Sequence, residues 1–283
     1  LDLSPRYFEH VEIARLAAMH PFWLRELLAL PDFDTWNGAP GCKKCKSRRK
    51  ILFLRRKKLL WCPRCEGAKL AIVDIDIEAA ASRARQLAAE GTDAISLFAD
   101  VTNKQSVTDM VRATLDRWNR IDILVNVAGG ADRKLVIDIT AADWDRVVDM
   151  NLKSVFLCSQ AVLPALLKQH YGKIVNISSI YGFTGNATRS SYAAAKAGVA
   201  AFTKSLALEH AQDGLNINAI APGRIETPRV RGHYSDEAWA AAVAQIPMGR
   251  PGTPDEIAST ALFLVSDENH YNTGQTIHVN RAW

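Results

Sequence analysis

The sequence predicts an α/β fold built on a doubly wound parallel sheet, and three observations carry that expectation. From Lys69 onward, short apolar runs of strand length alternate with longer segments that place apolar residues at helical spacing. Alternation of this kind implies parallel strands joined by right-handed crossovers, with helices on both faces of the sheet. A length of 283 residues, 48% hydrophobic and 23% charged, fits one large α/β domain, or a domain plus a small module, with a real core.

Taken in order, residues 6–31 read as two short helices broken at Pro21, and residues 31–41 as a loop rich in Pro, Asp, Asn and Gly. The apolar runs KILFL (50–54) and KLLW (58–61), separated by Arg55, Arg56 and Lys57, suit a small hairpin. Strands are then expected at 69–75, 94–100, 121–129, 172–179, 215–223 and 276–280. Helices are expected from the first of these strands to about Ala89, at 104–118 opening near Thr102, at 142–169 and 190–212, and near 235–245 and 254–266. No internal repeat or low-complexity tract interrupts the pattern.

No window approaches eighteen uninterrupted apolar residues, so no transmembrane helix is expected. The first residues carry acids early and lack the basic-then-apolar order of a secretory signal; a cytoplasmic location follows as the default, although the chain does not begin with Met. The net charge of +5 conceals an asymmetry: residues 41–70 hold 12 Lys/Arg against the single acid Glu66, leaving 23 bases and 29 acids elsewhere. Four of the five cysteines lie in that basic stretch, as Cys42-x2-Cys45 and Cys62-x2-Cys65, while Cys158 sits alone in an apolar run. Two CxxC knuckles joined by a hairpin-length insert have tetrahedral zinc spacing, so residues 41–66 read as a basic zinc-ribbon-like hairpin following a helical and loop segment at 1–40. Nucleic-acid contact through such a basic hairpin is a weaker expectation, because a Lys/Arg run is often only a solvated face.

The strongest chemical signal is SYAAAK, residues 191–196. Tyr192 and Lys196 are four apart and share one helix face. A phenol with a reference pKa of about 10 is a poor base at neutral pH, and an ammonium beside it favours the phenolate. Ser179 lies thirteen residues before Tyr192, at the C-terminal end of a strand, where parallel α/β sheets place ligand-contacting groups. Alone, YxxxK is a solvated helix face and a strand-end serine is a cap. Together with NVAGG (126–130), MNLKSVF (150–156), IVNISSIYG (174–182), NAIAPGRIETP (218–228), IPMGRPGTPDEIA and TGQTIHVN, they form an ordered series.

That series resembles the short-chain dehydrogenase/reductase family, in its acyl-carrier-protein-reductase-like branch, over roughly residues 67–280. The resemblance implies a Rossmann-like domain at 67–283, commonly assembled as a homotetramer through the helices at 142–169 and 190–212. It implies an oxidoreductase that moves a hydride between a nicotinamide cofactor and a secondary alcohol or ketone, a 3-oxoacyl thioester among the options. Tyr192 would be the general acid/base, Lys196 would lower its pKa and hold the nicotinamide ribose, Ser179 would polarise the carbonyl, and Asn151 would hold a water behind Lys196. The implied cofactor contacts are Asp74, Asp100, Val101, Asn126, Gly129, Pro222, Gly223, Ile225 and Thr227, besides Tyr192 and Lys196. Asp74 at a strand end would repel a 2′-phosphate, favouring NAD over NADP.

Two departures from the family stand out. Upstream of Gly67, the sequence RKILFLRRKKLLWCPRCE contains no glycine, whereas the family opens on a strand and a Gly-rich loop that lets backbone amides approach the pyrophosphate. The expectation is that the first strand and its turn are missing or replaced, leaving a gap beside the strand at 69–75; ILFL or LLW is the alternative occupant of that slot, but only about a dozen residues then remain before the next strand, too few for the usual helical crossover. The chain also ends Arg281-Ala282-Trp283 instead of in glycines. These departures raise an alternative function: a zinc-binding, nucleic-acid-contacting module fused to a dehydrogenase remnant that binds cofactor poorly. The substrate is not legible, since residues 228–250, the expected lid, offer Arg229, Arg231, His233 and Tyr234 without a decisive code.

Overall fold

In the computed structural model, residues 50–54 and 68–280 are described. Cys42, Cys45, Cys62 and Cys65, the helices expected at 6–31, and the run 58–61 lie outside them, and no cluster of metal-ligating side chains occurs among the described residues. Seven strands form one sheet: β1 Lys50–Leu54, β2 Lys69–Asp74, β3 Ala94–Phe98, β4 Ile123–Asn126, β5 Gly172–Ile177, β6 Leu215–Pro222 and β7 Thr276–Val279. They are ordered β3-β2-β1-β4-β5-β6-β7 and every pairing is parallel. The principal helices are α1 Ile77–Ala89, α2 Lys104–Trp118, α3 Ala141–Val148, α4 Ser154–Lys168, α5 Tyr181–Thr184, α6 Ser190–Glu209, α7 Pro228–Arg231, α8 Asp236–Ala244 and α9 Pro254–Val265.

Strand alternation makes two cores. Ala71, Val73, Leu124, Ile174 and Ile217 face α2, α4 and α6, packing on Met110, Val111, Cys158, Val162 and Leu206. Their neighbours Leu70, Ile123, Val125, Val175 and Ile220 face the opposite layer, against Leu87 of α1 and Ile257, Ala261 and Leu264 of α9. Strands buried on both faces need apolar residues at consecutive positions, which is why they read as unbroken runs. The helical stretch Ala141–Lys168 is long and apolar enough to cross a membrane by length and composition, but Val155, Leu157, Val162 and Leu166 are buried against the protein's own core.

Two expectations about the first strand are corrected. Residues 50–54 fill the central slot, paired on one side with β2 from Lys50↔Lys69 to Leu54↔Val73 and on the other with β4 from Ile51↔Ile123 to Leu54↔Asn126. No gap exists there. With both hydrogen-bonding edges taken, the strand has none left for a hairpin partner, so the KILFL–KLLW hairpin is excluded. The connection at residues 55–68 meets the dozen or so residues that a parallel crossover requires.

Candidate active site

The switch point of the sheet lies between β1 and β4, where the chain order reverses, and the candidate residues gather at the C-terminal strand ends beside it. Asn126 ends β4, and Ser179 follows β5 two residues after Ile177. Tyr192 and Lys196 lie on the first turns of α6, whose C-terminal half is anchored in the core by Thr203, Leu206 and Ala207. Gly182 permits this docking: a Cβ there would stand 2.7 Å from the Ala197 amide nitrogen, so α5 and α6 touch through bare backbone beside Lys196.

The Ser179 hydroxyl stands near enough to the Tyr192 phenol to favour its phenolate. The Ser179 Oγ also accepts from the Tyr181 amide at 3.2 Å, which fixes the hydroxyl at the strand end. Lys196 is buried; its Nζ donates to the Ile177 carbonyl at 2.7 Å and sits 5.7 Å from the Tyr192 ring centroid. Beneath them lies Asn151, fully buried in a π-helical turn, Asp149–Lys153, between α3 and α4. Such turns widen a helix by one residue and re-aim a side chain. The Asn151 Nδ2 donates to Gly130 O at 2.7 Å and Val147 O at 2.8 Å, and its Oδ1 accepts from the Gly130 amide at 3.2 Å. A Cβ on Gly129 would lie 2.5 Å from Asn151 Oδ1 and 3.3 Å from Lys196 Nζ, so the glycine leaves room for those two groups to meet the loop.

Burial dominates the electrostatics of the pair. Burial pushes the Tyr192 phenol above its ordinary value, and the Ser179 hydroxyl with the charges of Arg189 and Arg229 opposes this without reversing it. Burial also lowers the Lys196 ammonium to about 8.

The remaining candidates divide. Asn126, 3% exposed, donates to Asn176 Oδ1 at 2.8 Å, while its own Oδ1 is buried with no protein partner. Asp74 ends β2 and accepts from the Asp76 amide at 3.0 Å. The Asp100 carboxylate caps its own turn, accepting from Thr102 N at 2.9 Å and Thr102 Oγ1 at 2.7 Å. Val101 borders Asn126 and Ala128 in a small depression. Pro222 O accepts from the Ile180 amide, and Gly223 allows β6 and β7 to close, since a Cβ there would stand 2.8 Å from Asn280 Cα. Ile225 bridges to Gly252, and Thr227 caps α7 by accepting from the Val230 amide at 3.2 Å. Sequence reasoning missed Asn176, which donates to Thr203 Oγ1 at 2.9 Å and locks Asn126, and Ser178, whose Oγ donates to Lys196 O at 2.7 Å. The run IVNISS carried both, but polar residues inside a strand give no sign of their partners.

For a nicotinamide dinucleotide, the described residues fit at one end: a buried acceptor on Asn126, a glycine loop at Gly129–Gly130 and an ammonium beside a phenol converge on the switch point. The residues that would meet the pyrophosphate follow β1 and lie outside those described.

A doubly wound parallel sheet with serine, tyrosine and lysine collected at its strand ends defines a class of dinucleotide-dependent oxidoreductase. A family model described as enoyl-(acyl carrier protein) reductase matches residues 64–281. The chain is 43% identical over 190 residues to the 3-oxoacyl-[acyl-carrier-protein] reductase FabG of Vibrio cholerae, covering 67% of this chain and 78% of that protein. It is 40% identical over 218 residues to the (2S)-[(R)-hydroxy(phenyl)methyl]succinyl-CoA dehydrogenase subunit BbsD of Thauera aromatica, covering 76% and 86%. Among solved structures, levodione reductase superposes with a TM-score of 0.76 at 31% identity, covering 83% of this chain and 97% of that one, and gox2181 with 0.74 at 39%, covering 77% and 87%. The chain belongs to the short-chain dehydrogenase/reductase family, in its 3-oxoacyl-acyl-carrier-protein-reductase-like branch, and is an oxidoreductase of that class.

Proposed function

We propose that the protein transfers a hydride between NAD(H) and a secondary alcohol or ketone, with Tyr192 as the acid/base. The observation that carries this reading is the gathering of Ser179 and Tyr192 at the strand ends, with the Lys196 ammonium 5.7 Å from the Tyr192 ring and Asn151 beside it at Gly129. When bound, the nicotinamide supplies or takes the hydride. In reduction, Ser179 donates a hydrogen bond to the ketone oxygen and Tyr192 delivers the proton that completes the alcohol. A phenol raised above its usual value is protonated at neutral pH and ready for that step. Lys196 orients the ribose and places positive charge near Tyr192, and Asn151 holds the Gly130 backbone so that the loop keeps its distance. Asn126 and Gly129 would contact the ribose side, Asp100 and Val101 the adenine, and Pro222, Gly223, Ile225 and Thr227 the carboxamide. Asp74 supports NAD over NADP because its carboxylate, at the end of β2, would repel a 2′-phosphate.

Tyr192→Phe tests the assignment: turnover is expected to fall by about a thousandfold, within the usual range for acid/base catalysis, with the melting temperature little changed. Wild-type turnover in that variant would sink the role. Assembly as a homo-oligomer through the 142–169 and 190–212 helices belongs to the same reading, supported by exposed Phe156 and Leu208 on those helices. Light scattering measures it. Zinc at Cys42, Cys45, Cys62 and Cys65 rests on spacing alone, and metal analysis of the protein against Cys62→Ser decides it.

A further inference from the structure

Around the mouth of this site stands a set of arginines with unequal partners. Arg146 pairs with Asp132, and Arg231 with Asp236. Among the described residues, by contrast, no carboxylate pairs with Arg189 or Arg229, and the charge of each favours the Tyr192 phenolate. Arg189 precedes α6 and lies over the Tyr181 ring, 5.5 Å from its centroid, next to the amide that fixes Ser179. Arg229, on α7, reaches the loop after β4; its Nη2 would be 3.1 Å from a Cβ on Gly130, the residue whose backbone Asn151 holds.

A second layer backs the first. Arg133 Nη2 and Arg224 Nη1 both donate to the Tyr234 hydroxyl, at 3.1 and 2.8 Å, which ties the loop after β4 to the segment after α7. Burial pushes the Tyr234 phenol up, but the two guanidiniums outweigh it and hold the group below its ordinary value. Trp239 closes this layer, 5.6 Å from the Tyr234 ring and 5.5 Å from the Arg231 guanidinium. The segment bearing Arg229 is thus held in place beside the site.

We propose that the ketone substrate carries an anionic group, a carboxylate or phosphate, within a few bonds of its carbonyl, and that Arg229 and Arg189 hold that anion. This inference rests on the oxidoreductase reading above and narrows its substrate class. Guanidiniums suit the task because their forked donors match carboxylate and phosphate oxygens. With the carbonyl oxygen on Ser179 and Tyr192, an anion on the Arg229 side would fix which face of the ketone meets the cofactor.

The experiment measures NADH oxidation with matched ketones: pyruvate, acetoacetate and levulinate, each against its methyl ester, and dihydroxyacetone phosphate against dihydroxyacetone. The first three pairs report a carboxylate and the last a phosphate. In at least one pair the anion is expected to be preferred about tenfold or more in kcat/KM, the size of a charge-assisted hydrogen bond. Arg229→Gln combined with Arg189→Gln should abolish that preference, mainly through KM, whereas Arg112→Gln on the distant α2 should leave the ratio intact. Because each ratio compares two substrates on one protein, a general change at Tyr192 or a partial folding defect cancels. Equal or better use of the neutral partner in every pair, or a preference that survives the double substitution, overturns this inference alone. Absence of turnover with all eight ketones, together with no saturable quenching of NADH fluorescence, overturns the proposed NAD(H)-dependent activity on ketones and this inference with it. Saturable quenching without turnover of any of them overturns the inference and leaves cofactor binding standing.

Discussion

Lys196 is an ammonium without water around it, and its stability signature follows from that. Burial lowers it to about 8 from a free value of 10.5, so the unfolded chain holds a proton that the folded chain gives up over that interval. Stability contributed at this position therefore rises as pH climbs from about 8 to about 10.5, and the desolvation penalty is present in full below 8. Compared with Lys196→Met, which cannot titrate, the wild type should gain about 3 kcal/mol between pH 7 and 10.5, at about 1.4 kcal/mol per tenfold displacement. Denaturant melts of both proteins at the two pH values check this, and a constant difference would show the amine to be solvated. Tyr192 carries its own signature. With its phenol raised, reduction should be flat through neutral pH, while alcohol oxidation, which needs the phenolate, should still be climbing at pH 9. An oxidation profile that levels off near pH 7 would mean a different base. The spacing of Tyr192 and Lys196 was legible in the sequence because four residues on a helix always share a face. The balance of forces on the phenol was not: burial leads it, opposed by Ser179, by Arg189 at the start of the same helix, and by Arg229, which tertiary packing brings in from α7.

At the scale of elements, the π-helical turn at Asp149–Lys153 is the device that points Asn151 inward. The sequence predicts an unbroken helix over 142–169, and nothing in DMNLK marks the turn, since it contains neither Gly nor Pro. Ordinary helix ends were legible where side chains make them. The helix over 104–118 matches because Asn103 caps it by accepting from the Ser106 amide and Asn119 ends it at φ 55°. The short helix Tyr181–Thr184 escaped notice because four residues offer too little periodicity. The turn's function can be tested through its neighbour. Gly129→Ala puts a methyl 2.5 Å from Asn151 Oδ1, which must move. Turnover is expected to drop about tenfold or more with a stability loss of about 1–3 kcal/mol, in the range of overpacked sites. If the effect runs through Asn151, Gly129→Ala combined with Asn151→Ala should be no slower than Asn151→Ala alone, a non-additivity expected of groups in contact. Additive losses would separate the glycine from the asparagine.

For the whole molecule, the decisive feature is a five-residue strand whose place the sequence leaves open. KILFL sits between two CxxC knuckles and among Lys and Arg residues, and a short apolar run has no periodicity to distinguish a hairpin arm from a central strand. Its identity is set by what lies far along the chain, because β2 and β4 each present an edge to the same slot and only residues 50–54 occupy it. A protein starting at Gly67 would lack this strand. Backbone N–H and C=O groups of β2 and β4 would lose partners at the centre of the sheet, where water cannot replace them without opening both cores. A protein starting at Ser47 keeps the strand. The longer chain is expected to melt cooperatively, while the shorter should give no cooperative transition and should expose apolar surface to a hydrophobic dye. Equal melting temperatures for the two would mean that residues 50–54 do not hold the centre of the sheet, and that the switch point, with the site built on it, is assembled some other way.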